Sequence, residues 1–134
     1  MTCPIQSGSN RILRLMDRSY NTEDLTKTLL ELRRVNPGLF IRTHVIVGFP
    51  SETKADLLDT LNLIKRIRFN EVTLYSFSDG DDTVASKTGK QIDETEKLER
   101  QRSAIKFFEK EGIGYSCDEF PGHIYSTVDP QTRL

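Results

Sequence analysis

The stretch Leu-Phe-Ile-Arg-Thr-His-Val-Ile-Val-Gly-Phe-Pro-Ser-Glu-Thr, residues 39–53, decides the fold of this chain. Its first part is rich in apolar and β-branched residues and ends abruptly at Gly48-Phe49-Pro50, which is typical of a buried parallel strand followed by a tight turn. A helix with good capping chemistry is predicted directly after the turn. Since α/β proteins bind ligands where such strands end, the stretch predicts a ligand-binding edge. Gly48 would allow a ligand to approach the backbone closely.

The residues on either side of this stretch extend it to the order β-α-β-α-β-α, an α/β fold with mostly parallel strands. We expect the strands at residues 3–5, 40–47 and 71–77 and the long helices at 22–35, 51–67 and 93–111. Leu98, Ile105 and Phe108 are the expected inward side chains of the last helix. After Tyr115 the pattern indicates no clear element. The expected domains are therefore 1–116, an α/β unit, and 117–134, a tail or a loosely docked strand.

Right-handed crossovers would place three loops, residues 6–9, 48–52 and 78–83, at one edge of the sheet. These loops are where chemistry is expected. Glu52 lies close to a predicted helix start, and we interpret it as a partner of the helix dipole rather than as a ligand contact.

Composition excludes several classes of function. The 134 residues carry a net charge of −1, which argues against a dedicated nucleic-acid binder. No apolar stretch approaches a membrane span and no signal peptide is visible, so we expect a cytoplasmic protein without a membrane partner. The two cysteines, Cys3 and Cys117, form neither a metal motif nor a disulfide framework.

No catalytic or metal-binding set can be assembled from the remaining polar residues. His44 lies mid-strand among apolar neighbours and is interpreted as a packed or barrel-facing histidine, because no carboxylate or serine completes a set. The aspartates around Gly80 are interpreted as turn residues, since the loop lacks the ligand spacing of a calcium site. We therefore predict no catalytic residue and no metal ligand.

At the three loops the sequence resembles the radical S-adenosylmethionine methylthiotransferases, iron–sulfur enzymes that insert a methylthio group into tRNA or into a ribosomal protein. The similarity covers roughly residues 3–110, in the right order and spacing. The blocks that carry it are Pro4-Ile5-Gln6-Ser7-Gly8-Ser9, Leu13 with Met16-Asp17-Arg18, Ile46-Val47-Gly48-Phe49-Pro50-Ser51-Glu52-Thr53, Ser78 with Thr83 and Ala85, and Lys97-Leu98-Glu99-Arg100.

The resemblance implies S-adenosylmethionine as a cofactor and a set of residues that would bind it. Gln6, Ser7 and Ser9 would receive its amino-acid and ribose end, and Ser78 would lie at the same edge. Val45, Ile46, Val47 and Gly48 would form the adenine side, and an apolar wall suits a flat base.

Departures from the family pattern limit what the chain can do alone. The family holds a [4Fe–4S] cluster through a Cys-x-x-x-Cys-x-x-Cys triad that this chain lacks, so we expect the cluster in a full-length parent and none here. The first strand corresponds to about the fourth of six in the family. The implied fold is the second half of a partial TIM-like barrel. The resemblance implies that this half positions S-adenosylmethionine and that the chain is inactive alone.

The substrate and the partner stay open at this point. The block at residues 6–9 resembles the tRNA-modifying branch, whereas Arg42-Thr43 and the acidic loop 79–82 resemble the branch that modifies a ribosomal protein. A half barrel exposes strand edges, so the missing N-terminal half or a second copy of the chain is the expected partner. The alternatives are a free-standing nucleotide-binding or S-adenosylmethionine-binding α/β module and a non-catalytic half-barrel interaction protein.

Overall fold

The computed structural model describes residues 1–77, 92–120 and 123–126, with the main chain alone for 118–120 and 123–126. The fold is mixed α/β, built on a four-stranded sheet in the order β1-β2-β3-β4. In chain order the elements are α1 (Asn10–Leu15), α2 (Thr22–Val35), β1 (Arg42–Val47), α3 (Lys54–Ile67), β2 (Glu71–Ser76), α4 (Glu94–Glu111), β3 (Gly114–Phe120) and β4 (His123–Ser126).

Three of the four strands run parallel, which confirms the predicted α/β class. Val45 of β1 pairs with Leu74 of β2, and Leu74 pairs with Cys117 of β3. β4 is antiparallel to β3. The long crossovers between the parallel strands are helical, as parallel pairing requires.

The predicted first strand at residues 3–5 is present only as two isolated bridges to β1, Thr2 with Arg42 and Gln6 with Val45. The register shifts by one residue between these bridges. Pro4 has no N–H to donate, and the Thr43 hydroxyl donates to the Cys3 carbonyl (2.8 Å) and accepts the Ile5 N–H (3.2 Å). A side chain thus replaces the regular ladder, so the segment follows β1 without forming a regular strand.

One face of the sheet carries the core. Val45 and Val47 of β1, Val72 and Leu74 of β2 and Tyr115 of β3 are buried there. They pack in one cluster with side chains of α2, α3 and α4, among them Leu29, Ile64 and Phe108. Each fully buried aliphatic side chain of this kind stabilises the fold by about 1.5–3 kcal/mol. The three long helices therefore lie on this face of the sheet.

The helix boundaries follow from local capping. α2 begins after Asn21, whose side chain accepts the Asp24 N–H, and α4 begins after Asp93, which accepts the Glu96 N–H. α3 begins at Lys54, three residues later than predicted, because Thr53 and Asp56 form a reciprocal capping box. In the described parts of the chain, none of the helices is long and apolar enough to cross a membrane.

The structure has two strands in the region after α4, where no clear element is predicted after Tyr115 and where residues 117–134 are expected to form a tail or a loosely docked strand. β3 continues to Phe120, and β4 returns antiparallel beside it. Tyr115 and Cys117 alternate into the core, with Ser116 between them and Gly114 before them, and this short mixed pattern gave a weak strand signal. The boundary between a 1–116 domain and a 117–134 tail stays a prediction.

Candidate functional site at the carboxyl edge of the sheet

The sheet face opposite the three long helices, α2, α3 and α4, is only partly covered. We call it the open face, and it is formed by Arg42, His44, Ile46, Thr73 and Tyr75, all of them half-buried or exposed. His44 and Tyr75 lie edge to face, with their ring centroids 5.6 Å apart. This surface combines aromatic, polar and aliphatic groups, which suits a planar polar ligand better than it suits a protein core.

Two of the three predicted loops meet at one end of this face. The Ile46 N–H donates to the Gln6 carbonyl (2.9 Å), and the Phe77 N–H donates to the Val47 carbonyl (2.9 Å). The loops at residues 6–9 and 48–52 therefore lie together at the carboxyl ends of the parallel strands, which we call the ligand edge. Ser78 and the loop 78–83 lie outside the described residues.

Left-handed backbone conformations are concentrated at the ligand edge. Gln6 (φ 67°), Gly48 (φ 76°) and Ser51 (φ 67°) all lie in the left-handed region. The other described residues with positive φ, such as Arg68 and Gly112, follow helix ends, where this conformation is ordinary. Non-glycine residues such as Gln6 and Ser51 adopt it at an energetic cost, and such residues cluster at functional sites.

Gly48 is required by the turn itself rather than by the approach of a ligand. A Cβ at this position would lie 2.6 Å from Cγ of Lys97, so a side chain of the protein already fills the space. The Gly48 N–H is also occupied, because it donates to Oε1 of Glu52 (2.8 Å). The N–H and the Cα of Gly48 are therefore engaged by the protein itself, and a contact between its main chain and a cofactor stays a prediction.

Glu52 is not the helix-dipole partner that its position suggests. It precedes the N-cap residue Thr53 and its side chain is turned inward, leaving the residue 2% exposed. Oε1 of Glu52 also accepts a hydrogen bond from Arg100 (3.1 Å). Burial raises the pKa of Glu52, against the opposing effects of the Gly48 N–H and Arg100.

The last helix supplies two buried cations to the ligand edge. Arg100 is 5% exposed and donates to the carbonyl of Glu52, to its carboxylate and to Glu96 (2.8 Å). Nζ of the buried Lys97 donates to the Phe77 carbonyl (3.2 Å) and to Glu94 (3.1 Å).

The predicted inward residue Leu98 is instead 38% exposed. Sequence reasoning missed Arg100 and Lys97 as inward residues because their acceptors lie in distant parts of the chain.

A second arginine binds the same turn from the other side. Arg11 of α1 donates to the carbonyl and to the hydroxyl of Ser51, and it forms an ion pair with Asp56. Although burial alone would raise the pKa of Asp56, hydrogen bonds from Arg11, Thr53 and Ser9 hold it at about 2. The carbonyls of two consecutive residues, Ser51 and Glu52, are thus bound by arginines from two different helices.

The side chains of the two predicted serines form hydrogen bonds within the protein. Ser7 is fully buried beside Thr60, whose hydroxyl accepts the Gly8 N–H (2.8 Å). The Ser9 hydroxyl donates to Asp56 (2.8 Å) and its oxygen caps α1. Their side chains are therefore engaged in positioning the loop.

The predicted adenine-side residues divide between the two faces of the sheet. The side chains of Val45 and Val47 are buried in the core on the helix side. Ile46 alone turns its side chain to the open face, where it packs against the buried cluster of Ile12, Phe49 and Phe77 and stays half-buried. Gln6 is half-buried at the edge. Gln6 and Ile46 therefore remain the predicted residues best placed to meet a ligand, while Val45 and Val47 offer only their main chain.

A cluster of the [4Fe–4S] type does not fit this chain. The sequence has two cysteines, one fewer than the triad requires, and Cys3 lies in the N-terminal segment beside β1 whereas Cys117 lies on β3. Burial raises the pKa of the Cys3 thiol, which disfavours the thiolate that binds iron. Within the described ranges no group of three or more histidine, cysteine, aspartate or glutamate residues is arranged to hold a metal ion.

Comparisons with known proteins agree with one another. The chain is 36% identical over 115 residues to "tRNA-2-methylthio-N(6)-dimethylallyladenosine synthase" of Thermoanaerobacter sp. (strain X514), covering 86% of this chain and 24% of that protein. The enzyme of the same name from Moorella thermoacetica is 42% identical over 103 residues, covering 77% of this chain and 23% of that protein.

"Threonylcarbamoyladenosine tRNA methylthiotransferase MtaB" of Bacillus subtilis is 41% identical over 102 residues, covering 76% of this chain and 23% of that protein. The chain thus spans about a quarter of the length of the curated relatives it matches. No protein-family model matches it.

Proposed function

Because this chain belongs to the tRNA methylthiotransferase family over the quarter of those proteins that it matches, we propose that it forms the half of a radical S-adenosylmethionine barrel that positions the cofactor. The observation that carries the proposal is the ligand edge itself. Three left-handed residues meet there with the buried Arg100 and the exposed Arg11, beside an open face of mixed polarity. Strained, internally bonded turns of this kind are found where proteins bind ligands.

Different side chains of the described residues would contact different parts of S-adenosylmethionine. Ile46 would pack against the adenine, and the aromatic pair His44 and Tyr75 would flank the nucleoside on the open face. Gln6 would supply polar groups at the edge, and Ser78 is a further cofactor-binding residue by resemblance to the family. When bound in a complete enzyme, the cofactor supplies the reductive and methyl-transfer chemistry, while this chain orients it and excludes water.

The proposed partners follow from the relatives and from the exposed sheet. The matched relatives carry tRNA in their names, which favours tRNA over a ribosomal protein as the substrate of the complete enzyme. Work on tRNA would place the protein in the cytoplasm. The open face would be covered by the other half of the barrel, which would also bring the [4Fe–4S] cluster, or by a second copy of this chain.

Calorimetric titration of the purified chain with S-adenosylhomocysteine, the stable product analogue, tests the proposal. We expect binding in the micromolar range. Ile46→Arg should weaken it at least tenfold, because the new charge would occupy the adenine side of the open face. Leu58→Arg is the matched control, since Leu58 is 54% exposed on the outer side of α3.

Circular dichroism must first show that both variants are folded. Absence of heat in the unmodified chain, or equal affinity for both variants, would contradict a cofactor site on the open face.

A further inference from the structure

Charged side chains hold the Gly48–Glu52 turn, although a buried ion pair adds little to the stability of a fold. Arg100 and Glu52 are both buried, and bringing two charges out of water costs several kcal/mol per ion before their attraction offsets it. Replacing such a pair with apolar residues often leaves a protein equally stable. The pair is therefore better explained by the specific conformation that it imposes than by the stability that it adds.

The geometry of the arginines fits that explanation. Arg100 binds the carbonyl and the carboxylate of Glu52, and the same carboxylate binds the N–H of Gly48 at the other end of the turn. Arg11 binds the carbonyl and the hydroxyl of Ser51, the residue with φ 67°. The two ends of the turn are thus joined through the Glu52 carboxylate, which Arg100 of α4 binds, and Ser51 is fixed by Arg11 of α1.

On the basis of the function proposed above, we infer that Arg11 and Arg100 are positioning residues for the bound S-adenosylmethionine. They hold the turn, and through it the adjoining Ile46, in the conformation that receives the ligand. Neither has to touch the ligand to do so. The last helix, α4, therefore controls ligand affinity from behind the turn.

Arginine is suited to this task and lysine is not. A guanidinium presents several donors in a rigid plane, so that Arg100 reaches Glu52 twice and Glu96 once. A lysine at this position would keep the charge but could not satisfy the same three acceptors in fixed directions. Arg100→Lys should therefore fall between the unmodified protein and Arg100→Ala.

Two measurements on the same set of variants test the inference. Hydrogen exchange followed by NMR reports the Gly48 amide, which is protected as long as Glu52 is held in place. Titration with S-adenosylhomocysteine reports affinity. We expect Arg100→Ala to speed exchange at Gly48 and to weaken binding, each about tenfold, while amides in the middle of β1 exchange as before.

Three further variants, on α4, in the turn and on α1, complete the set. Arg102→Ala removes an exposed arginine two residues along α4 and should change neither measurement. Glu52→Gln keeps an acceptor oxygen for the Gly48 N–H but loses the charge that orients Arg100. The exchange rate of the Gly48 amide should therefore rise by a smaller factor than the affinity for S-adenosylhomocysteine falls. Arg11→Ala should loosen residues 50–52 and weaken binding in the same direction as Arg100→Ala.

The outcomes separate this inference from the proposed function. Faster exchange at Gly48 with unchanged affinity would overturn the positioning role while leaving the cofactor site intact. Unchanged exchange in Arg100→Ala would overturn it as well, because the turn would then be held by other contacts. If the unmodified chain binds no S-adenosylhomocysteine, the proposed function and the positioning of that ligand both fall, and the exchange data alone decide whether the arginines fix the turn.

Discussion

At the scale of single residues, Gly48 shows how one position can satisfy several constraints at once. Its φ of 76° is open to glycine and costly for other residues, and the space beside its Cα is filled by Lys97. Gly48→Ala should destabilise the protein by about 1–3 kcal/mol, through backbone strain and the displacement of Lys97. Urea unfolding followed by circular dichroism measures this change.

Gly38→Ala is the matched control for that experiment. A Cβ at Gly38 meets no atom within 4 Å, so the free energy of unfolding should stay within about 0.5 kcal/mol of the unmodified value. A Gly48→Ala variant as stable as Gly38→Ala would show that the turn rearranges freely and that its conformation is not fixed.

Asp56 predicts an acid-dependent stability at the same scale. Its pKa in the folded protein is about 2, below the ordinary value of 3.8, so the ionised form stabilises the fold above about pH 4. That contribution, on the order of 1 kcal/mol, is lost as the pH falls from 4 to 2. Asp56→Asn should be less stable at pH 7 and should lack this loss.

Thermal unfolding between pH 2 and pH 7 provides the measurement. Asp59→Asn is the control, because Asp59 lies three residues after Asp56 on α3 and is exposed. Its unfolding temperature should follow that of the unmodified protein at every pH. Parallel curves for the unmodified protein and Asp56→Asn would refute the assignment of the low pKa to the contacts of Asp56.

At the scale of elements, α3 is the support on which the loop at residues 6–9 rests. Thr60 accepts the Gly8 N–H, and a Cβ at Gly8 would meet the Thr60 main chain at 2.4 Å. Thr60→Val keeps the shape but leaves that N–H without its acceptor, which should cost about 1–3 kcal/mol. Thr60→Ser keeps the hydroxyl and should cost less, about 0.8 kcal/mol for the lost methyl group.

The comparison of these two variants in chemical denaturation decides between hydrogen bonding and packing. If Thr60→Ser is the more damaging substitution, the methyl group matters more than the hydroxyl, and the loop does not depend on this hydrogen bond. The same measurement on Leu58→Val, which changes an exposed side chain of α3, should show a small effect.

Elements were predictable from the sequence where local chemistry fixes them. Asn21 and Asp93 predict helix starts, because the side chain of each accepts a hydrogen bond from the N–H three residues later. Lys97 and Arg100 could not be placed inside by periodicity, because hydrophobic patterns assign the interior to residues such as Leu98. Their burial depends on Phe77 and Glu52, which lie 20 and 48 residues away. Non-local acceptors of this kind leave no signal in the surrounding sequence.

At the scale of the whole molecule, the uncovered side of the sheet predicts association. The open face exposes Ile46 and Tyr75 in part, and the segment at residues 1–6 follows β1 at one margin of the sheet. Surfaces of this kind are normally covered in barrels and are prone to pairing when they are not. We expect the isolated chain to self-associate, as measured by light scattering over a range of concentrations.

Tyr75→Lys should shift that equilibrium toward the monomer by placing a charge on the open face, whereas Leu58→Lys on the outer helices should not. A monomeric mass at every concentration would reject association through this face. Dissociation by both variants alike would place the contact elsewhere on the molecule.

The link between Glu52 and Arg100 also orders events in time as the protein is made. The two residues are separated by 48 positions, so at ~5–20 residues per second translation reaches Arg100 roughly 2–10 seconds after Glu52. Until then the Glu52 carboxylate has no guanidinium to pair with. Since burying an unpaired carboxylate is costly, Glu52 stays hydrated. The edge that receives the ligand is therefore completed only after translation has passed the last helix, and a nascent chain stopped before Arg100 would carry the motif without the finished site.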